Sequence, residues 1–133
     1  MGKRGMPSYE KGKQAEQVAA KYIESIGYRQ IQLTKSAGPD IIAWKDNAQF
    51  FFEVKPARKH SRTCWYANAV TPDRKKDHFV LIVLPNNQVF LETMSEYLGK
   101  CLRDGKRNLS NYIRTYCPDL FDFTVPARNY GCK

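Results

Sequence analysis

Apolar positions change their spacing several times along the chain, and each change predicts an element. From about Tyr9 to Ile26, the residues Ala15, Val18, Ala19, Tyr22, Ile23 and Ile26 fall on one face at helical spacing, and Gly27 follows as a suitable helix stop. Tyr28 to Thr34 alternates and predicts a strand, with a turn or loop over Lys35–Pro39. Two short apolar runs around a polar turn, between Gly38 and Lys55, predict a β-hairpin. Pro56 to His78 is basic and weakly periodic, and reads as an irregular or helical crossover, with Pro72 after Thr71 marking a helix start. Phe79 to Leu84 is continuously apolar and rich in β-branched residues, the pattern of a strand buried on both faces. An Asn86-Asn87 turn leads into a strand over Val89–Glu92, and Thr93-x-x-Glu96 is a capping box opening a helix through about Arg103. The remainder, with Tyr112, Ile113, Tyr116 and the run Asp119–Val125, predicts a short helix and an extended tail.

This order predicts an α/β fold, a mixed β-sheet flanked by helices, in a single domain over residues 1–133 with a flexible basic lead over residues 1–8. A buried strand reached by a crossover predicts a parallel pairing near the centre of the sheet.

The hairpin has a definite predicted register. Asp46 and Asn47 both tolerate left-handed backbone, so the turn is centred on them. Lys45 then faces Ala48, Ala43 faces Phe50, Ile41 faces Phe52, and Asp40 faces Glu53. A four-residue loop gives the same pairing, and an odd-length loop shifts it by one. One face, Ile41, Ala43, Phe50, Phe52 and Val54, is entirely apolar and belongs in the core. The other, Asp40, Ile42, Trp44, Gln49, Phe51, Glu53 and Lys55, is apolar in the middle and charged at one end. Opposed carboxylates, with Cβ atoms roughly 5 Å apart, repel. A divalent cation between them turns that repulsion into a binding site. Lys55 stands two residues beyond Glu53 on the same face. These are the parts that metal-assisted phosphodiester hydrolysis needs. The plainer alternative is a set of charges at exposed strand ends, but a surface Glu–Lys pair adds little stability and does not explain the placement.

Charge bears on the partner. Lys and Arg number 22 against 13 Asp and Glu, for a net charge of +9. Such a chain attracts polyanions, nucleic acid first and anionic membrane second. With 42% hydrophobic and 26% charged residues the composition is that of an ordinary globular protein. No apolar run approaches the roughly 18 residues of a membrane span, and the amino-terminal stretch lacks the apolar segment of a secretory signal. A cytoplasmic or otherwise intracellular protein is expected, with no membrane partner and no small-molecule substrate. Cys64, Cys101, Cys117 and Cys132 form no C-x-x-C pair, so free thiols are expected rather than a structural zinc site.

Pro39-Asp40, a hairpin-length gap and then Glu53-Val54-Lys55 resemble the motif of the PD-(D/E)XK nuclease superfamily. Many members carry a Glu on the preceding helix, and Glu16, at the flank of the apolar face near Ala20 and Ile23, matches it. Over roughly the first 60 residues the layout is similar to archaeal-type Holliday junction resolvases. The resemblance implies a restriction-endonuclease-like fold and a Mg²⁺-dependent DNA endonuclease, with Mn²⁺ able to substitute. It implies that Asp40 and Glu53 hold the metal with the Val54 carbonyl, that Lys55 is the catalytic lysine, and that Glu16 is a metal or water ligand. A homodimer would supply one site per DNA strand. Junction resolvase, site-specific (homing or restriction type) nuclease and less selective nuclease stay open, as do a ribonuclease and a non-catalytic basic nucleic-acid-binding module.

Lys13, Lys35, Arg58, Lys59, Arg62, Arg74, Lys75 and Lys76 are the candidate phosphate contacts, with the run Lys55–Arg62 foremost because it follows the site directly. Trp65 and Tyr66 are candidates for stacking on bases, with core anchoring expected for at least one. His60 and His78 read as surface histidines.

Overall fold

The computed structural model describes residues 8–34, 39–70 and 77–129, with side chains from residue 12 onward. Helix α1, Ser8–Ser25, precedes strands β1 (Arg29–Leu33), β2 (Ile41–Lys45) and β3 (Ala48–Pro56). Next come β4 (Arg58–Ser61), β5 (Cys64–Ala67), β6 (Phe79–Val83), β7 (Val89–Thr93) and helix α2 (Met94–Gly99). The chain closes with β8 (Arg107–Asn108), helix α3 (Ser110–Tyr116) and two single 3₁₀ turns.

Local chemistry sets the boundaries. Helix α1 stops because Gly27 takes φ +107°, which lets the Gly27 N–H reach the Glu24 carbonyl and the Tyr28 N–H the Ile23 carbonyl. That is the Schellman arrangement, and Ile23 and Tyr28 are both buried in one apolar cluster beside it. The β2–β3 turn has Asp46 at φ 53° and Asn47 at φ 66°, the backbone of a type I′ turn. Thr93 caps α2, accepting from the Glu96 N–H while the Glu96 carboxylate accepts from the Thr93 N–H.

The five-stranded sheet runs β1-β2-β3-β6-β7, with β3 and β6 parallel and every other neighbour antiparallel. It is the mixed α/β sheet the pattern predicts. Ala15, Ala19 and Ile23 of α1 cover one face, against Ile41, Ala43, Phe52, Val54, Leu81 and Val83. On the other face Val80, Ile82 and Leu84 pack with Met94 and Tyr97 of α2, Trp65 and Ala67 of β5, and Leu109 and Ile113. Strand β6 is therefore covered on both sides, which is why its sequence is continuously apolar.

The region after Pro56 departs from the expected crossover. Residues 58–67 form a hairpin whose β5 also pairs with β8, giving a second, three-stranded antiparallel sheet. Its strands have only four, four and two residues, and β4 is largely exposed and polar, so no period-two signal accumulates. The predicted helix start at Pro72 lies outside the described residues. Helix α2 stops at Gly99 instead of running to Arg103, because Leu102 donates to the Lys106 carbonyl and Gly105 turns the chain back at φ +87°. The tail holds 3₁₀ turns and is pinned to the β4–β5 turn by the Asp122 N–H on the Arg62 carbonyl. Cys101 and Cys117 are free, but Cys64, buried on β5, is disulfide-bonded, contrary to the expectation of free thiols. Among the described residues no helix is long and apolar enough to cross a membrane.

Candidate active site

The hairpin register is the one the turn chemistry predicts. Lys45 pairs with Ala48, Ala43 with Phe50, and Ile41 with Phe52. The ladder becomes irregular just beyond Ile41: the Asp40 N–H donates to the carbonyl of Phe52, which is also the partner of Ile41, at 2.9 Å. Asp40 and Ile41 thus share one opposite residue, as in a β-bulge, and Asp40 does not take the expected place as the ladder partner of Glu53. Its Oδ2 accepts from the Val54 N–H at 2.8 Å, which fixes the carboxylate against the neighbouring strand.

Glu53 is only 1% exposed, although its neighbours on that face are apolar. Its Oε2 lies 2.8 Å from His78 Nδ1, and the His78 side chain is itself 14% exposed. An imidazole carrying its proton on Nδ1 would donate to this oxygen. The parallel register explains the meeting. Phe52 pairs with Phe79 and Glu53 with Val80, so the residue just before β6 comes alongside Phe51 and Glu53. The His78 ring stands 5.4 Å from that of Phe51. His78 is therefore not the surface histidine expected of it. Only the register of a parallel pair separated by 25 positions would have revealed it.

Lys55 is half-buried on the face of Glu53, and its Nζ donates to the Ala69 carbonyl at 3.4 Å. Glu16, half-buried on α1, reaches the same end of the sheet. Its carboxyl is held above the ordinary range, first by partial burial and then by the charge of Asp40, with Lys13 opposing. Glu16 thus feels the Asp40 charge, Asp40 is bonded to β3 at Val54, and Glu53 meets His78, while the Lys55 ammonium is held by the Ala69 carbonyl.

The donor set suits a hard divalent cation. Mg²⁺ is held through one or two carboxylates and keeps water and phosphate oxygens for its other positions. Asp40 and Glu53 are two carboxylates of that kind, and Glu53 already has a hydrogen-bond partner in His78. Among the described residues no group of three His, Cys, Asp or Glu side chains is placed to hold a metal ion.

Glu16 carries a pH prediction for the metal-free protein. Its folded pKa lies above its unfolded one, so its ionised form costs stability. That cost is present above the folded pKa and absent below the unfolded value of about 4.3. Glu16→Gln should accordingly be more stable than the parent at neutral pH in chelator, and the difference should vanish in acid. Denaturant melts at both pH values check this; a less stable Gln variant at neutral pH would contradict it.

The remaining basic candidates are scattered. Lys13 and Lys59 are exposed, and Arg58 is half-buried. Arg62 pairs with Asp122 at 3.7 Å, with its own side chain 76% exposed. Lys35, Arg74, Lys75 and Lys76 lie outside the described residues. Trp65 is buried in the core, whereas Tyr66 is half-buried with the Lys106 ammonium 4.7 Å from its ring centre. His60 is exposed on β4.

No family model matches the chain, and no curated protein matches it. Among solved structures it is similar to a bacterial homing endonuclease, I-Ssp6803I, with a TM-score of 0.57 over 69% of each chain. The fold is endonuclease-like. Sequence identity over that match is 14%, so the likeness is one of architecture alone. The endonuclease-like fold and the carboxylate edge are independent observations, one drawn from the path of the backbone and the other from side chains.

Proposed function

We propose that the protein is a Mg²⁺-dependent DNA endonuclease of the PD-(D/E)XK kind, with Mn²⁺ able to replace Mg²⁺. The observation that supports this reading is the Asp40 carboxylate held by the Val54 N–H, next in sequence to Glu53, with Lys55 two residues beyond Glu53 on β3 and Glu16 near enough to feel the Asp40 charge. The net charge of +9 and the endonuclease-like fold support DNA as the substrate. Asp40 and Glu53 would hold the cation, with the Val54 carbonyl as a further ligand. Bound there, the metal would polarise the phosphoryl oxygen and lower the pKa of an attacking water. Lys55 would steady charge on the phosphate, Glu16 would hold a water, and His78 would keep Glu53 in place.

The layout of residues 1–60 favours a structure-selective, junction-resolving enzyme, and the likeness to a homing endonuclease favours a site-specific one. Either would act as a homodimer with one site per strand. A substrate panel in Mg²⁺ decides between them: a four-way junction, a flap, a linear duplex of random sequence, single-stranded DNA, and RNA. The resolvase reading expects paired cuts near the branch point of the junction and little cutting of duplex. Cuts at one recurring sequence in duplex libraries favour the site-specific reading. Binding without cleavage of any substrate in Mg²⁺ or Mn²⁺ would overturn both.

A further inference from the structure

A cleft of about 560 Å³ opens at the end of the sheet where β3 finishes. Pro56, Val83 and Leu84 line it where the parallel strands β3 and β6 finish. In open α/β sheets, ligands sit in the crevice outside the carboxyl ends of such strands, where the chain departs in different directions. Here it leaves β3 into the second sheet and leaves β6 into the turn toward β7. The volume falls within the roughly 300–1,000 Å³ of small-molecule sites.

The lining is chemically specific. Arg58 and Tyr66 are register partners on β4 and β5, so their side chains leave the same face, and both residues line the cleft. The Lys106 ammonium over the Tyr66 ring adds a second positive charge nearby. Arg58 Nε is buried with no hydrogen-bond partner among the described residues. Nε is shielded, so what Arg58 can present to the cleft it lines is the rest of the guanidinium's donors. A guanidinium matches phosphate oxygens in particular. Arg58 follows Lys55 by three residues, a reach of at most roughly 10 Å along the chain.

We propose that this cleft takes one unpaired nucleotide of the DNA strand beside the scissile phosphate, its phosphate on Arg58 and its base against Tyr66. A base stacked inside a duplex cannot enter a cleft, so occupancy selects DNA that already has an unpaired or easily extruded nucleotide. The inference rests on the nuclease reading for its position along the strand, and its test is a binding measurement that needs no cleavage.

The experiment uses Asp40→Asn protein, so that no cutting interferes, and two labelled duplexes that differ by one unpaired nucleotide. Fluorescence anisotropy gives the ratio of their affinities. The parent should prefer the unpaired substrate about tenfold, as one base stacked on one aromatic ring provides. Tyr66→Ala and Arg58→Gln should each bring the ratio near one, while Tyr66→Phe, which keeps the ring, should preserve it. Thermal melts establish that the variants fold. Equal affinities for the two duplexes in the parent, or a ratio unchanged by Tyr66→Ala, would overturn the inference. Metal-dependent cleavage by the wild-type protein with no such preference would sink the cleft alone, and a preference without cleavage would sink the nuclease reading alone.

Discussion

Asp40→Asn and Glu53→Gln should each lower the Mg²⁺-dependent rate of DNA cleavage by at least 10²- to 10³-fold, about what removal of a single preorganised electrostatic group costs an enzyme. Both replacements remove one negative charge and keep the shape of the side chain. The Asn oxygen can still accept from the Val54 N–H, and the Gln oxygen can still accept from His78 Nδ1. Each fold should therefore lose only on the order of 1 kcal/mol, the difference between a charged and a neutral acceptor. Loss of rate with a nearly unchanged melting curve separates a metal ligand from a structural carboxylate. Combining the two substitutions should add little to either, because groups acting on one metal fail together. Variants that cut at the parental rate would show that the hairpin charges do no chemistry.

The second large effect lies away from the site. Glu92, 4% exposed at the end of β7, receives Arg107 Nη2 at 2.8 Å and Nε at 3.3 Å, and the Tyr112 hydroxyl at 3.1 Å. The Lys100 ammonium stands 3.7 Å away. Arg107, 7% exposed on β8, also donates to the Asn108 carbonyl. Burial lowers the Arg107 pKa, but the hydrogen bond and charge of Glu92 outweigh it and leave the guanidinium above its ordinary value. This pair joins the five-stranded sheet to the three-stranded one. Arg107→Ala strands a buried carboxylate and should cost about 3–5 kcal/mol. For a chain of this size that is a fall in melting temperature of about 10 °C or more. Replacing Glu92 and Arg107 together by apolar residues of similar volume should cost less than either single change, because the penalty comes from the orphaned charge. Chemical denaturation of the three variants checks the order, and additive losses would contradict it.

The central hairpin was legible because its register depends on two adjacent residues. Asp46 and Asn47 accept positive φ, and once the turn is centred there the period of two places every side chain from Ile41 to Phe52. Strand β6 was legible because burial on both faces leaves a continuous apolar run. His78 was not, since its meeting with Glu53 depends on a parallel register that no local pattern specifies. The second sheet escaped because strands of two to four residues carry too few alternations. Glu92 closes the expected strand Val89–Glu92, but its partner Arg107 lies 15 positions later in a segment without periodicity. Glu16 fell between the two cases: the helical wheel put it at the flank of the apolar face, and only the packed structure shows it beside Asp40.

The claim that the open end of the hairpin grips a divalent cation can be tested without knowing the substrate. Mn²⁺ titrated into ¹⁵N-labelled protein at low stoichiometry broadens amide signals close to wherever it binds. The account predicts early loss of the signals of Asp40, Glu53 and Val54, with Glu16 close behind, and no such loss in the Asp40→Asn, Glu53→Gln double variant. Broadening centred elsewhere, or identical broadening in the double variant, would contradict it.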